Sequence, residues 1–424
     1  MSSLKRTVLF IFLLFMVSCR GSSGPSPTGD PSAWTFLVYM DGDNNLSSAA
    51  LANMEKMRIA GNSDYVNVIV QVDLDNDTTK RYRIYNHSFE LISDLGELDM
   101  SSPKTLTDFL AWSKATWSAD RTVLVLWDHG NGWDQGDGPS SPLDKSGYRR
   151  SMFIDNQNNS ISNARLLSNH RIKKAIQDSG IKLDILGFDA CFMGTIEALY
   201  EFKDLANILV SSQEDTALDG WDYFSVITNL AANPAMDVED LARVMVASYK
   251  SYYDPNPEKR YTLSAIRTSL LGQIGVKASS LADGLVTLLT DTVTQLQTVE
   301  LISKVRGTAL DGGTVQNIDY FISAHSVYVD LADVAAQLNP GTEIAQLIAN
   351  ATIAEYHGAA RPNAHGVSIV FFKFPWARDH NQFDSNYKNY DPVTQTGNSG
   401  DFINQFHWDE FLAAYYSAYS AADL

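Results

Sequence analysis

The chain of 424 residues carries 50 acidic side chains against 32 lysines and arginines, a net charge of −18. With 45% apolar and 19% charged residues it has a globular composition able to bury a core, which excludes disorder, collagen-like repeats and coiled coil as the main architecture. The acidity argues against nucleic acid as a partner, because a duplex-binding surface needs a concentrated basic face, and favours cationic partners instead.

At the N-terminus, Lys5 and Arg6 precede an apolar run from Val8 to Val17, the pattern of a secretion signal too short to anchor stably across a bilayer. The run ends Phe15-Met16-Val17-Ser18-Cys19, which resembles the bacterial lipobox, whose cysteine becomes the lipidated first residue of the mature protein. Residues 1–18 then read as a signal peptide. Residues 19–33 read as lipidated Cys19 and a flexible Gly, Ser and Pro-rich tether at the bacterial cell envelope, with plain secretion as the alternative. Cys19 and Cys191 are the only cysteines. With the first lipidated no internal disulfide forms, and Cys191 is either an inert small hydrophobe or a reactive thiol.

From Trp34 onward, short apolar runs at Trp34 to Met40, Tyr65 to Asp73, Arg121 to Asp128, Leu183 to Asp189 and Ala206 to Ser211 read as strands. Amphipathic segments at Leu46 to Ile59, Leu106 to Trp117, Ser162 to Asp178 and Gly194 to Lys203 read as helices between them. The alternation predicts an α/β core over residues 34–233, a mostly parallel sheet with helices on both faces. Lys80 to Tyr85 adds a strand without a crossover helix. Residues 234–424 read as a mainly helical region packed on that sheet. Its helices are expected at Val238 to Tyr253, Leu281 to Val305, Val329 to Gln337 and Glu343 to Tyr356, and its strands at Tyr261 to Arg267 and His365 to Phe372. Trp408, Phe411, Tyr415 and Tyr416 share helical spacing and read as core.

Two strand ends carry chemistry. Arg121 to Trp127 runs into Asp128-His129-Gly130-Asn131-Gly132-Trp133, and Leu183 to Phe188 into Asp189-Ala190-Cys191-Phe192-Met193-Gly194. In a parallel sheet the carboxyl ends of the strands share one edge, so His129 and Cys191 are expected to face one crevice. A helix beginning near Met193 would favour a Cys191 thiolate, and a nearby imidazole could hold the proton and pass it to a leaving amine. The N–H groups of Gly130 and Cys191 could receive an oxyanion.

These segments resemble the clostripain-like cysteine peptidases, within the wider group of caspases, legumain and gingipains. Trp34-Thr35-Phe36-Leu37-Val38-Tyr39-Met40-Asp41-Gly42-Asp43-Asn44-Asn45-Leu46 resembles the family's opening strand and loop. His129-Gly130-Asn131-Gly132-Trp133 matches its histidine segment, and Asp189-Ala190-Cys191-Phe192-Met193-Gly194 its nucleophile segment. The stretch from Ser212 to Tyr223 resembles the acidic loop that follows, with Ala217-Leu218 where family members often have Pro-Gly, and His365 to Phe372 is a weaker echo of a late strand.

The resemblance implies a caspase-like core and an endopeptidase acting on proteins or peptides after a basic residue, with Cys191 as nucleophile and His129 as general acid and base. It also implies that Asp189 lies in the primary specificity pocket, with Asp219 weakly at its rim. Asp189 could instead cap the helix after Cys191. Some family members cut themselves between the His and Cys segments. Here Asp134 to Ser151 is Gly and Pro-rich and offers Lys145, Arg149 and Arg150, unless it is a plain surface loop.

No cofactor is required by the sequence. Calcium, which some family members need, stays unplaced: Asp73, Asp75 and Asp77 lack the glycine and glutamate of a calcium loop, Asp41, Asp43 and Asn45 fail similarly, and both read as strand-end turns. Zinc has no support in the spacing of the histidines. Two rival readings remain: a catalytically silent surface-binding lipoprotein on a peptidase-like scaffold, and a cysteine amidase or transferase, for which a neutral residue would be expected in place of Asp189.

Overall fold

The computed structural model describes residues 32–133, 152–155, 165–256, 258, 260–306, 328–372, 387 and 400–421. Cys19 and the candidate cleavage residues Lys145, Arg149 and Arg150 lie outside the described residues. Every apolar run expected as a strand in the first half forms one: β1 (Ser32–Gly42), β2 (Val66–Leu74), β5 (Ala119–Trp127), β8 (Ile185–Asp189) and β9 (Ile208–Ser211). Between β2 and β5 lie β3 (Lys80–Tyr85) and β4 (Ser88–Asp94), and between β5 and β8 the short pair β6 (Met152–Asp155) and β7 (Arg165–Leu167). The later chain adds β10 (Thr262–Arg267), β11 (Tyr328–Asp330), β12 (Thr352–His357) and β13 (Ser368–Val370).

Nine of these strands form one sheet in the order β12-β10-β9-β8-β5-β1-β2-β3-β4. The five central strands are mutually parallel, and two antiparallel strands extend each edge. Residues after 234 therefore supply two strands of the sheet as well as helices that cover it.

Alternation along each strand sends side chains to opposite faces and builds two cores. Leu37, Tyr39, Leu124, Leu126, Leu186 and Phe188 face α2 (Pro103–Thr116), α3 (Asn169–Ser179), α4 (Ile196–Glu201) and later helices. Phe36, Val38, Val123, Val125 and Ile185 face α1 (Ser47–Ala60), α5 (Tyr223–Ala232) and α6 (Val238–Tyr253). Each such buried side chain contributes about 1.5–3 kcal/mol, so both layers hold the central strands in register. Trp408, Phe411, Tyr415 and Tyr416, on the helix Trp408–Ala421, are buried in the first core as expected.

Several boundaries differ from expectation. The segment from Ser162 splits: Arg165–Leu167 is a strand, and α3 starts only after Ser168, whose hydroxyl accepts from Arg171 N. Leu281 to Val305 belongs to two helices, α7 (Leu271–Thr290) and α8 (Gln295–Arg306). After α9 (Leu331–Leu338), α10 (Ile344–Ala351) stops at β-branched Thr352 and Ile353, and the expected remainder of that helix is the edge strand β12. Among the described residues no helix is long and apolar enough to cross a membrane.

Candidate active site

Register places the two chemical turns side by side. β5 and β8 run parallel with Trp127 opposite Asp189, so His129 and Cys191 each lie two residues past a shared rung at the same edge of the sheet. The turn after β5 is fixed by Asn44 Nδ2, which donates to Asp128 Oδ1 at 2.9 Å. Gly130 then presses on the Cys191 backbone: a Cβ there would come within 2.5 Å of the Cys191 carbonyl oxygen and 2.8 Å of its nitrogen. Only glycine permits that approach. Half-buried His129 has Nε2 2.9 Å from Asn45 Oδ1. Read as an Nε2–H donor to that amide oxygen, the ring keeps Nδ1 as its basic nitrogen.

The turn at Cys191 is bent. Phe192 adopts φ +62°, a left-handed conformation that costs a non-glycine residue about 1–3 kcal/mol and persists only where neighbours enforce it. Those neighbours are visible: Phe192 N donates to Glu214 O at 3.2 Å, Gly194 N to Ser212 O at 2.8 Å, and Ser368 N to Gly194 O at 2.9 Å. The Phe192 ring stacks on Tyr328 at 5.3 Å. The acidic loop and the late strand thus grip the turn from both sides. Gln213 couples them, donating to Asp330 Oδ2 at 3.0 Å and accepting from Gly366 N at 2.7 Å.

The expectation of a helix dipole beneath Cys191 is corrected. α4 begins only at Ile196, capped by the Thr195 hydroxyl, which accepts from Ala198 N, and Phe192 breaks any helical continuation before it. Half-buried Cys191 instead meets an acidic loop. Its sulfur accepts from Thr216 N at 3.3 Å and donates to the Thr216 carbonyl at 4.0 Å, with the Asp215 carboxylate close by. Burial first, then the charge of Asp215, pushes the thiol up to about 12. Burial holds His129 down to about 4. Both shifts favour the neutral forms, thiol and imidazole, near neutral pH. Behind the pair, Arg260 pairs with Asp215 at 2.8 Å, and Arg361 Nε donates to Glu214 at 2.7 Å.

Asp189 does not cap a helix. Its Oδ2 accepts from Trp221 N at 3.0 Å and from the Tyr223 hydroxyl at 2.9 Å, while Oδ1 is buried without a partner. Burial raises this carboxyl to about 6, against the opposing pull of those donors and of Lys56. Asp219 stands apart: it is exposed, and its carboxylate accepts from Tyr252 Oη at 3.3 Å. Lys56 Nζ donates to the carbonyls of Asp219 and Trp221, the latter at 3.3 Å, and so holds the 219–221 strap in place. The structure brings together His129, Gly130, Cys191 and Asp189, and leaves Asp219 outside them. Asn45, Lys56, Asp215 and Thr216 complete the surroundings. Asn45, Asp215 and Thr216 lie inside segments singled out in the sequence, but Lys56 arrives from a helix face with no local signal.

Among the described residues no group of three or more His, Cys, Asp or Glu side chains could hold a metal ion. Asp41 Oδ1 accepts from Asp43 N, and Asp73 accepts from Leu74 N and the Thr79 hydroxyl, as strand-end turns do.

Known proteins resemble this chain in sequence and in fold. The sequence model of the clostripain family matches residues 38–414. Clostripain from Hathewaya histolytica is 26% identical over 245 residues, which cover 49% of this chain and 44% of that protein, so the chain spans less than half the length of that relative. A secreted C11 cysteine protease from Bacteroides thetaiotaomicron, solved with an irreversible peptide inhibitor, has a TM-score of 0.62 at 18% identity, covering 82% of this chain and 95% of that one. An inactive zymogen C11 protease from Parabacteroides distasonis has a TM-score of 0.58 at 17% identity, covering 84% and 96%. Both structures share the fold.

Proposed function

Because this chain belongs to the clostripain family of cysteine peptidases, we propose that it is an endopeptidase that cleaves proteins or peptides after Arg or Lys through Cys191 and His129. The observation that carries this reading is the contact of the His129–Gly130 turn with the Cys191 backbone, beside a buried carboxylate, Asp189, that keeps one oxygen without a partner.

The chemistry follows from the neutral resting pair. Cys191 Sγ attacks the peptide carbonyl carbon as its proton passes to His129 Nδ1. The oxyanion is received by the N–H groups of Gly130 and Cys191. His129 then gives the proton to the leaving amine as the C–N bond breaks. In the second half, water adds to the thioester, its proton goes to His129, and the thiol leaves with a proton returned. Asp189, ionised above about pH 6, pairs with the guanidinium or ammonium of the substrate residue before the cleaved bond. Asp219 adds negative charge at the outer rim.

Three features of location and maturation complete the proposal: lipidation at Cys19 to a membrane of the cell envelope, a tether over 19–33, and self-cleavage after Lys145, Arg149 or Arg150. Metabolic labelling with a fatty acid, lost in Cys19→Ala, tests the anchor. Active chain and Cys191→Ala chain both staying intact on prolonged incubation would sink self-cleavage.

The main test uses matched fluorogenic peptides ending in Arg, Lys, Asp or Ala. Turnover restricted to Arg and Lys and absent in Cys191→Ala is the expected result. Silence on every peptide, from intact and trypsin-nicked chain with or without calcium, would overturn the peptidase reading.

A further inference from the structure

The strap over Asp189 is underpinned by a residue far away in sequence. α6 carries Tyr249, which is 1% exposed, and its ring lies 4.4 Å from that of Tyr253. The Tyr253 hydroxyl donates to the Gly220 carbonyl at 2.7 Å. Gly220 in turn sits on Asp189, where an added Cβ would be 2.8 Å from Oδ2. Tyr249 thus lies beneath the strap, within electrostatic reach of both Asp189 and Cys191.

Its hydroxyl has no hydrogen-bond partner, nor have Asp189 Oδ1, Thr216 Oγ1 and Trp221 Nε1. A buried polar atom left unpaired carries a penalty that a folded protein normally avoids, and a buried tyrosine hydroxyl usually finds a partner. Two of these atoms belong to residues hydrogen-bonded to Asp189 or Cys191: Trp221 N donates to Asp189 Oδ2 and Thr216 N to Cys191 Sγ. A carboxylate oxygen and a phenol oxygen, both able to accept, suit a ligand group rich in N–H donors.

We propose that the Tyr249 hydroxyl is a specificity-determining group that accepts a hydrogen bond from the cationic substrate side chain held by Asp189 Oδ1. This rests on the basic-residue reading above. Lys56, bound to the strap carbonyls, lies near Asp189, and Asp222 and Asp219 are the other charged groups around it. With two acceptors at separate positions, the planar guanidinium, with its five donors, gains more from Tyr249 than the compact ammonium does.

The test is Tyr249→Phe in the full chain, which keeps the ring and deletes the oxygen. kcat/KM is measured on matched peptides with Arg, Lys or uncharged norleucine before the cleaved bond, and Cys191 alkylation by iodoacetamide reports the integrity of the nucleophile. The expected result is a fall of about tenfold or more in the Arg-to-norleucine ratio, carried mainly by KM, with a smaller fall in the Lys-to-norleucine ratio. An unchanged ratio overturns the assignment, as does an equal loss on all three peptides accompanied by slower alkylation. Wild-type enzyme that turns over norleucine but neither basic peptide, or no peptide at all, instead defeats the basic-residue reading itself and takes this inference with it. The wild-type arm alone identifies that outcome.

Discussion

Two pairs of parallel strands end at the same edge of the sheet, each with a buried aspartate at its last rungs, and those aspartates are held from different distances along the chain. In β1 and β2, Asp41 and Asp73 are register partners, and local donors engage both: Asp43 N for the first, Leu74 N and the Thr79 hydroxyl for the second. In β5 and β8 the last rung, one step earlier at the level of Met40, holds Trp127 and Asp189. Asp189 is satisfied on one oxygen by the distant Trp221 and Tyr223, and its other oxygen is left unpaired. Position at the carboxyl edge is thus shared by structural and chemical turns. The source of the donors distinguishes the second kind: Asp41 and Asp73 are held from within their own turns, Asp189 by the distant Trp221 and Tyr223.

Substitutions at both edges would break or sharpen this contrast. The largest effect is expected for Cys191→Ala, which should reduce peptide turnover by about 10⁴-fold or more, with His129→Ala close behind. Residual turnover near wild type in either variant would place the chemistry elsewhere. Next, Asp189→Asn should lower kcat/KM on Arg and Lys peptides by about 10²–10³-fold while sparing iodoacetamide alkylation of Cys191. If alkylation collapses in parallel, Asp189 is only a strut of the turn. At the structural pair the expectation reverses: Asp73→Ala should cost about 1–3 kcal/mol in urea unfolding and change kcat/KM by no more than about twofold.

The smallest effects concern pH. With the Cys191 thiol pushed up to about 12, its alkylation rate should keep climbing with pH beyond 9. A plateau near neutrality would reveal a resting thiolate–imidazolium pair. His129 is held down to about 4 from an ordinary 6.5, so between those values the unfolded chain binds a proton that the folded chain does not. Its contribution to stability is present above about pH 6.5 and lost as pH falls through about 4. His129→Gln should flatten the stability curve in that window, and an unchanged curve would show that the ring is protonated in the fold.

The strands and both chemical turns were legible because each is a contiguous signal: an apolar run of strand length ending in Gly, His or Cys. Their convergence was legible because parallel topology forces it. What could not be read arrives through packing. Tyr249 and Lys56 sit on helices whose patterns look like ordinary amphipathic surfaces, and only the closing of the 219–221 strap brings them to Asp189. The thiol's environment was misjudged for a related reason. A helix dipole was inferred from local spacing, whereas the positive φ of Phe192 ends the helical path, and the loop at 214–216, brought alongside by the register of β8 and β9, supplies acidic neighbours instead. The tail of α10 was misread because helical periodicity runs unbroken into Thr352–His357, and only pairing with β10 declares that segment a strand.

The seam between β5 and β8 has a consequence for a chain cut anywhere between residues 134 and 151. His129 would then belong to one polypeptide and Cys191 to the other, yet the two strands would remain neighbours in a single sheet, with both apolar faces continuous across the join. Such a product would behave as a two-chain protein held without a covalent link. It would elute as one species in native buffer, separate only in denaturant, and regain activity only when both halves refold together.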